Sequence, residues 1–470
     1  MAVKPNRVFR ALAPSLQRRR GDAHLLVWGD LAQWMVVDEE LRAFLRQFNG
    51  KRTLKQVLRR HAKRQRRPLE AVQREAGAVV QDLASRGILY RGARPGPPPP
   101  EPVGIANVTI NLTNRCNLRC RWCYNDAGRG GDEAPIQQLM DAVEQGRGVL
   151  ADDASFIILG GEPTLDLDRL LHAVDRAGEL FGPRALVSTN GTLLTDRVVQ
   201  RLARRRLEVQ VSLDSHLPAR HDAVRGDGVF RQAVAGVRRL VGAGVPVILC
   251  MVYDRDGLDG FEPYLELARA LGAREARFIP MRRMGRALEL ADRAPDQAAA
   301  FTHLLDVLAR RPELRSLLLR DYFSIFTTIF RFSSPRTGCG VGRKVIFVDA
   351  DGAVYPCPNH TRPEHACGNL LQTGLEELVR TSPVMRAMRE RYVVDRYTRC
   401  RACPFRYWCA GDCRGEVLAA SGDPAEPSPH CDELRQVYEQ LLWLLADGDL
   451  RLGATEQLQN GQRVPDTFKV

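Results

Sequence analysis

Short apolar runs alternate with amphipathic stretches between residues 104 and 281. The runs are rich in β-branched residues, and they lie at 106–112, 155–159, 185–189, 208–213, 246–252 and 276–280. Stretches of helical periodicity separate most of them. Strand–helix alternation favours right-handed crossovers and a parallel sheet. Six such units are two short of an eight-stranded barrel. The pattern therefore predicts an α/β fold built on an open, partial (β/α)6 barrel, with its active site at the carboxyl ends of the strands.

The N-terminal residues 1–92 have a different pattern. The apolar runs AHLLVW and AQWMVV flank the segment 29–31, which predicts a β-hairpin. Asp38 and Thr53 are suited to be N-caps and Gly87 to be a C-terminal stop. The helices expected from these signals lie near 38–48, 53–65 and 68–86, and the run ILYR comes next as a closing strand. A hairpin, three helices and a closing strand indicate a small winged-helix-like domain.

Four consecutive prolines mark the clearest boundary in the chain. They favour an extended spacer that neither a helix nor a sheet can absorb, so the N-terminal module is separated from the rest of the chain. The predicted divisions are the module at 1–92, a proline-rich linker at 93–103, the barrel at 104–330, a cysteine-rich domain at 331–446 and a tail at 447–470. Within them we expect helix at 290–330, a strand at KVIFVD before a turn at 351–352, and a last helix near 432–446.

Composition and charge narrow the class of protein. The chain has 470 residues, of which 44% are hydrophobic and 27% charged, as in an ordinary folded protein. It has no apolar run of about 18 residues that would span a membrane, and no signal peptide is evident. We therefore expect a soluble, cytoplasmic protein. Of the net charge of +13, residues 1–92 carry +12, from 20 Lys and Arg against 8 Asp and Glu.

Twelve cysteines are too many for core filling in a cytoplasmic chain, where disulfides are rare. Cys250 stands alone in the apolar run PVILCMV and is expected to be an inert core residue. The other eleven form two groups, at 116–123 and 339–431, which points to metal or iron–sulfur ligation. In the first group, Cys116, Cys120 and Cys123 can hold three irons of a [4Fe–4S] cube and leave the fourth iron open. A structural zinc knuckle, the alternative, needs a fourth ligand that this loop does not contain.

This loop resembles the CxxxCxxC motif of the radical SAM superfamily, with an aromatic residue before the last cysteine. The resemblance continues at the ends of the later strands. It implies that S-adenosylmethionine is bound by Trp122, Gly160, Gly161, Glu162, Pro163, Ser188, Asn190, Ser212 and Arg225. In this scheme the glycines allow close backbone approach and Glu162 pairs with the amino group of the cofactor. Arg225 either contacts the cofactor carboxylate or is a solvated or structural arginine.

The second cysteine group resembles the seven-cysteine SPASM domain, whose members bind two auxiliary [4Fe–4S] clusters. Family connectivity implies an inner cluster held by Cys339, Cys357 and Cys413, and an outer one held by Cys400, Cys403, Cys409 and Cys431. A rubredoxin-like or zinc-ribbon site would explain only four of the seven. In many members of this family an additional upstream cysteine completes the inner cluster. This chain has no cysteine between 250 and 339, so the resemblance implies an open iron in the inner cluster unless Cys367 fills that place. Sulfatase-maturing members of the family carry a catalytic Asp at the position where this chain has Pro358. This difference weakens the interpretation of the chain as a sulfatase-maturing enzyme.

The basic N-terminal module allows two interpretations. A winged helix of charge +12 is suited to nucleic acid, although its arginine-rich stretches can also form a solvated helix face. Ahead of a radical SAM–SPASM body, the module resembles the PqqD-like recognition element of enzymes that modify ribosomally made peptides. Such elements bind a leader peptide as an added strand, and an acidic leader suits the charge. The context favours a peptide over nucleic acid.

Together these resemblances imply a radical SAM enzyme with three [4Fe–4S] clusters that forms an oxidative crosslink, thioether or carbon–carbon, in a precursor peptide. The leader would bind to residues 1–92, and flavodoxin or ferredoxin would donate electrons. The alternatives are a radical SAM enzyme acting on another protein or a small molecule, and a non-catalytic iron–sulfur regulator that binds DNA. Asp214, Tyr253 and Arg282 are suited to line the cavity, but the sequence assigns no catalytic residue.

Overall fold

The computed structural model describes residues 4–128, 130–318 and 335–448, and six parallel strands form its centre. These strands are β7 (Ile105–Asn111), β8 (Leu150–Leu159), β9 (Ala185–Thr189), β10 (Glu208–Ser212), β11 (Val247–Tyr253) and β12 (Glu275–Pro280). They are hydrogen-bonded in sequence order. Each predicted barrel strand is therefore confirmed. The second begins earlier than expected because the polar segment 151–153, which has no apolar periodicity, also adopts extended backbone.

Helices lie between the strands as the alternation predicts. Their bounds are Ile136–Gln145, Leu167–Phe181, Asp196–Ala203, Pro218–Arg225, Val229–Gly242, Phe261–Ala270 and Gln297–Arg310. Alternate strand residues such as Val108, Phe156 and Val209 are fully buried, as in a parallel sheet covered by crossover helices. Of the helical stretch expected at 290–330, the helix Gln297–Arg310 and the 3-10 turn Pro312–Leu318 are described. Its remainder lies outside the described residues.

The cysteine-rich region extends the central sheet. Strand β13 (Val345–Val348) pairs in parallel with β7, and β14 (Ala353–Tyr355) and β15 (Gly368–Asn369) continue in antiparallel order, which gives the described part of this sheet nine strands. The predicted turn at 351–352 is confirmed, with Gly352 at φ +88°. The helices after it are Leu370–Thr373, Leu375–Thr381, Pro383–Arg391, Thr398–Arg401, Arg406–Cys409, Arg414–Ser421 and Cys431–Ala446. The last confirms the predicted final helix; most of the predicted tail lies outside the described residues.

The N-terminal module has two three-stranded antiparallel sheets, ordered β5-β1-β6 and β2-β3-β4. Their strands are β1 (Val8–Ala11), β2 (Leu16–Arg20), β3 (Ala23–Trp28), β4 (Gln33–Val37), β5 (Asn49–Thr53) and β6 (Leu89–Tyr90). The helices are α1 (Glu39–Leu45), α2 (Leu54–Gln65) and α3 (Leu69–Ser85). The predicted hairpin β3–β4 and the N-caps Asp38 and Thr53 are confirmed. Strands β1, β2 and β5 were not predicted, because β1 has only four residues and because β2 and β5 are largely polar.

The module packs against the cysteine-rich region rather than standing apart from it. The carboxylate of Asp30 accepts a hydrogen bond from Arg406 at 2.6 Å, and Arg18 pairs with Glu439 at 2.9 Å. Gly29 lies so close to the backbone of Pro404 that a Cβ atom would approach it to 2.7 Å. The proline-rich linker therefore separates the module in sequence but not in space. No helix of the described residues has the length and apolar character needed to cross a bilayer.

Candidate active site

The loop that carries Cys116, Cys120 and Cys123 comes directly after β7, at the carboxyl edge of the sheet. Arg286, just beyond β12, holds this loop in place. Its Nε donates to the carbonyl oxygen of Cys120 at 2.7 Å, and its backbone N–H donates to that of Cys123 at 3.0 Å. Gly285 makes the approach possible, since a Cβ there would lie 2.3 Å from the Cys123 oxygen. The first and last barrel strands thus meet at the cysteine loop.

Burial raises the pKa of the Cys116 thiol to about 11, and it also raises the pKa of Cys120. The three thiols lie close enough to influence one another electrostatically. Within the described ranges, no three His, Cys, Asp or Glu side chains converge on one point that a single metal ion could occupy. A cubane cluster spaces its thiolates more widely than one ion does. Half-buried cysteines, two of them with a raised thiol pKa, suit such a cluster, because its irons would favour the thiolates.

The segment from Gly160 to Pro163 packs against the cysteine loop. The N–H of Gly161 donates to the carbonyl oxygen of Thr113 at 2.6 Å, and the N–H of Glu162 donates to that of Arg115 at 2.9 Å. A Cβ on Gly161 would lie 2.1 Å from the Arg115 oxygen. Close backbone approach therefore does require glycine here, as expected, but the surface approached is the cluster loop.

The Glu162 carboxylate is fully buried and accepts four hydrogen bonds from protein groups. The donors are the N–H and hydroxyl of Thr164, at 3.0 and 2.5 Å, the hydroxyl of Thr189 at 2.6 Å and the N–H of Asn190 at 2.7 Å. Burial raises the pKa of this carboxyl, and the donors oppose that rise. Three of the four donors contact Oε1, and Oε2 accepts only from Asn190. Glu162 thereby ties the end of β8 to the end of β9, and its pairing with the amino group of a cofactor stays a prediction.

The polar residues expected at the next strand ends lie along the same edge. Ser188 accepts a hydrogen bond from Gln210 at 3.2 Å, and Ser212 is the last residue of β10. The side chain of Asn190 donates to Asn117, on the cysteine loop, at 2.9 Å. These contacts bring three of the predicted cofactor-binding residues to the edge that also carries the cysteine loop.

Arg225 forms a buried, bidentate pair with Asp214, at 2.6 and 3.0 Å. The indole N–H of Trp122 donates to the same carboxylate at 3.3 Å. The third guanidinium nitrogen of Arg225, Nη1, lies 4.0 Å from the Cys120 sulfur. Arg225 therefore has structural contacts through its other two nitrogens, and its contact with the cofactor carboxylate stays a prediction. Asp214, for which the sequence alone indicates no role, joins Trp122 and Arg225 behind the cysteine loop.

The later cysteines form two groups. The thiol of Cys357 interacts with those of Cys339 and Cys413. The thiol of Cys400 interacts with those of Cys403 and Cys431, and Cys409 ends the helix Arg406–Cys409 nearby in sequence. Burial raises the pKa of Cys357, Cys413, Cys400, Cys403 and Cys431. These neighbours are the ones that the resemblance implies for six of the seven cysteines, and their ligation of clusters stays a prediction.

Asn359 is a residue of this site that sequence reasoning missed. Its amide donates to the Cys413 sulfur at 3.2 Å, and its N–H donates to the Cys357 sulfur at 3.5 Å. Donors of this kind orient cluster ligands and favour the thiolate. Its position two residues after Cys357 was the only available signal. Cys367 lies elsewhere, against the carbonyl oxygen of His365 at 3.5 Å, and Cys250 is buried in β11.

A buried charge network joins the end of the barrel to the cysteine-rich region. Arg282, just after β12, pairs with Asp412 at 3.2 Å and with Glu416 at 2.7 Å. Burial lowers the pKa of His430, but the carboxylates of Glu416 and Glu433 outweigh this and raise it to about 9. Asp412 and Glu416 flank Cys413, so Arg282 links the barrel to the inner cysteine group. Tyr253, expected to line the cavity, is buried at the end of β11.

Comparison with known proteins gives two family matches. Residues 110–268 match the radical SAM superfamily, and residues 339–404 match an iron–sulfur cluster-binding domain, SPASM. Mycofactocin maturase MftC of Mycobacterium tuberculosis is 30% identical over 333 residues, which cover 69% of this chain and 82% of that protein. The AdoMet-dependent heme synthase of Methanosarcina barkeri is 27% identical over 345 residues, covering 69% of this chain and 95% of the relative.

Among solved structures, Streptococcus suis SuiB bound to the precursor peptide SuiA has a similar fold. The TM-score is 0.56 at 15% identity, and the match covers 90% of this chain and all of SuiB. The 90% of this chain that matches SuiB is more than residues 93–470 can supply, since these make up about four fifths of the chain. The structural match therefore includes part of the N-terminal module, whereas the sequence relatives match 69% of the chain.

Proposed function

This chain belongs to the radical SAM superfamily, and from that premise we propose that it modifies a ribosomally made precursor peptide. The observation that carries the proposal is the joining of three parts in one molecule. A cysteine loop stands at the carboxyl edge of the barrel, two further cysteine groups adjoin that edge, and a strand-bearing basic module packs on them. The relative MftC is named a maturase, and SuiB was crystallised with a precursor peptide.

The cysteine loop and the strand ends supply the residues for the first step. When bound, a reduced [4Fe–4S] cluster with an open iron supplies the electron that cleaves S-adenosylmethionine, and the resulting 5′-deoxyadenosyl radical abstracts a hydrogen atom from the substrate. Cys116, Cys120 and Cys123 would hold that cluster, and Arg286 fixes their loop. Ser188, Asn190, Ser212 and the backbone from Gly160 to Pro163 would position the cofactor.

The proposed product is an oxidative crosslink, either a thioether or a carbon–carbon bond. Forming it removes two protons and two electrons from the peptide. The abstracted hydrogen atom takes one of each, so one further proton and one further electron must leave the site. The groups Cys339–Cys357–Cys413 and Cys400–Cys403–Cys409–Cys431 are suited to hold two auxiliary clusters that accept an electron or bind a substrate thiolate. Flavodoxin or ferredoxin would supply the electron that starts the reaction.

The N-terminal module is the proposed leader-binding element, of the PqqD-like type. Its three-stranded sheet β2-β3-β4 has two edge strands to which an extended peptide can add. The extent of the likeness to SuiB supports this role. Its contacts with Arg406 and Glu439 would keep a bound leader at a fixed position relative to the cysteine groups.

The test is an anaerobic reconstitution with dithionite, S-adenosylmethionine and the peptide encoded beside the gene. We expect about twelve irons per chain, release of 5′-deoxyadenosine and a peptide two mass units lighter. The triple variant Cys116→Ala, Cys120→Ala, Cys123→Ala should lose about four irons and all cleavage. The variant Cys413→Ala should still cleave the cofactor but fail to complete the crosslink.

Two outcomes would contradict the proposal. Four irons or fewer with no cofactor cleavage would exclude both the auxiliary clusters and the enzymatic role, and would favour an iron–sulfur regulator. Cleavage that no peptide stimulates, together with turnover of a small molecule such as a haem precursor, would favour the alternative that the heme synthase relative suggests.

A further inference from the structure

The N-terminal module contains a cleft lined almost entirely by positive charge. It lies between the end of α1, strand β5 and the exposed face of α2, and it encloses about 720 Å³. Its lining residues, which we call the basic cleft, are Arg46, Gln47, Arg52, Arg60, Lys63 and Arg64. Five of the six are cations and none is a carboxylate. The cleft is separate from the cysteine loop and from the edges of β2 and β4.

The cations of the basic cleft form no salt bridge in the described part of the chain, and only Arg46 lies close enough to a carboxylate, that of Glu39, to lower its pKa. Two arginines outside the cleft are paired: Arg42 with Glu39 at 2.7 Å and Arg67 with Glu75 at 2.5 Å. Among the described residues, no salt bridge involves the five cleft cations. Arg52 donates only to the backbone oxygen of Gln47, at 3.5 Å. Other cations of the module, such as Lys55, Arg59 and Arg66, also form no salt bridge among the described residues, so what distinguishes the basic cleft is that five cations line one concave surface.

This concentration of charge is not explained by helix stability. Attraction to the carboxyl end of α2 favours Lys63 and Arg64, which lie in its last turn. It does not account for Arg60, in the body of the helix, or for Arg52, on a strand. Arg60 and Arg64 are four residues apart on the same helix face, where like charges destabilise. The presence of this unfavourable pair of charges indicates an anionic ligand.

Gln47 gives a second, independent indication. The residue is only 9% exposed, and its side-chain amide oxygen, Oε1, accepts no hydrogen bond from any described residue. A buried acceptor without a donor is costly unless a ligand supplies one. The ligand must therefore bring both negative charge for the cations and an N–H for Gln47. An acidic peptide carries both, whereas a phosphate backbone carries acceptors only.

We propose that the basic cleft binds an acidic stretch of peptide, whose carboxylates pair with Arg46, Arg52, Arg60, Lys63 and Arg64 and whose backbone N–H donates to Gln47. This proposal rests on the proposed function, since it takes the precursor peptide as the natural ligand. It adds a second anchoring point, distinct from strand addition. It also predicts that the leader carries a cluster of Asp or Glu residues.

The experiment measures fluorescence anisotropy with the full-length reconstituted protein. The probes are a labelled peptide of alternating glutamate and alanine, its glutamine counterpart, and a labelled DNA duplex. We expect the acidic peptide to bind and the glutamine peptide not to. The double variant Arg60→Gln, Arg64→Gln should weaken binding about tenfold or more. The matched control, Arg59→Gln with Arg74→Gln, removes the same charge outside the cleft and should weaken it less than about twofold.

Gln47→Leu separates a binding role from a structural one. It removes an unpaired buried acceptor, so the thermal midpoint should rise or stay unchanged, while the acidic peptide binds more weakly. The proposal would be overturned if both double variants lost the same affinity for the acidic peptide. It would also be overturned if the DNA duplex bound more tightly than the acidic peptide and Arg60→Gln, Arg64→Gln abolished that binding. If the precursor is modified with an unchanged KM in that double variant, the cleft proposal fails and the proposed function stands. If the acidic peptide binds to the cleft but no precursor peptide is modified, the cleft proposal stands and the proposed function fails.

Discussion

Gly161 offers the sharpest test of how the strand ends support the cysteine loop. A Cβ at this position would lie 2.1 Å from the Arg115 carbonyl oxygen, whereas real Cβ contacts stay beyond 3.0 Å. In Gly161→Ala the two segments must therefore separate by close to an ångström. That movement stretches the hydrogen bonds from Gly161 to Thr113 and from Glu162 to Arg115. Both bonds join the loop that leads into Cys116 to the end of β8.

The cost can be estimated from its parts. Overpacking of this size costs about 1–3 kcal/mol, and weakening two buried backbone hydrogen bonds adds about 1 kcal/mol each. We expect the cluster-free variant to unfold with a free energy lower by about 3–5 kcal/mol, measured by urea denaturation. The displaced loop should also hold its cluster less well. Iron analysis and electron paramagnetic resonance of the reduced protein should show loss of the cluster bound by the first cysteine group.

Gly178→Ala is the matched control. It lies within the helix Leu167–Phe181, and a Cβ there meets no atom within 4 Å. Alanine is the better helix former by about 1 kcal/mol, so this variant should be as stable as the parent or more so, with its full iron content. If Gly161→Ala kept its iron and unfolded within about 0.5 kcal/mol of the parent, the reasoning on the strand-end contact would be refuted.

Three further predictions concern buried charge. Glu162→Gln turns one accepted hydrogen bond into a contact between two donors, so urea denaturation should show a loss of about 2–4 kcal/mol. Burial lowers the pKa of His61 below its ordinary 6.5, so the unfolded state binds the proton more readily than the folded state and stability falls as the pH drops below 6.5. His61→Gln should reduce this pH dependence of the thermal midpoint between about pH 8 and 5. Asp30→Asn removes the carboxylate that pairs with the buried guanidinium of Arg406. It should weaken the packing of the module on the cysteine-rich region by about 1–2 kcal/mol, and the proline-rich linker should then be cleaved faster by a protease. The exposed control Asp22→Asn should leave that rate unchanged.

The central sheet was predictable because its strands are buried on both faces. Runs such as PVILCMV are apolar throughout, and only a parallel sheet covered by helices accommodates several of them in succession. Strand β2 could not be found in the same way. Its sequence, LQRRR, has one apolar residue, and it forms because β3 offers an edge for pairing. Pairing with a distant neighbour leaves no periodic signal.

The candidate site shows the same division between local and non-local information. The cysteines were recognisable because ligand spacing within a loop is a local property. The hydrogen-bond partners of Glu162 could not be foreseen, because its donors Thr189 and Asn190 come from the end of the next strand. Arg225 and Asp214 both follow β10, but their pairing depends on where the helix Pro218–Arg225 lies relative to the strand end. The sequence alone does not give either of these spatial relations.

The pairing of β13 with β7 has a consequence for how this protein can be divided. A barrel that stops at six strands has two open edges, and an open edge exposes unpaired N–H and C=O groups that invite association with other chains. Here one of those edges is covered by the segment Val345–Val348. A fragment that ended before this segment would expose the strand that leads straight into Cys116, and we expect it to aggregate. We therefore expect the barrel to require the cysteine-rich region in the same expressed chain.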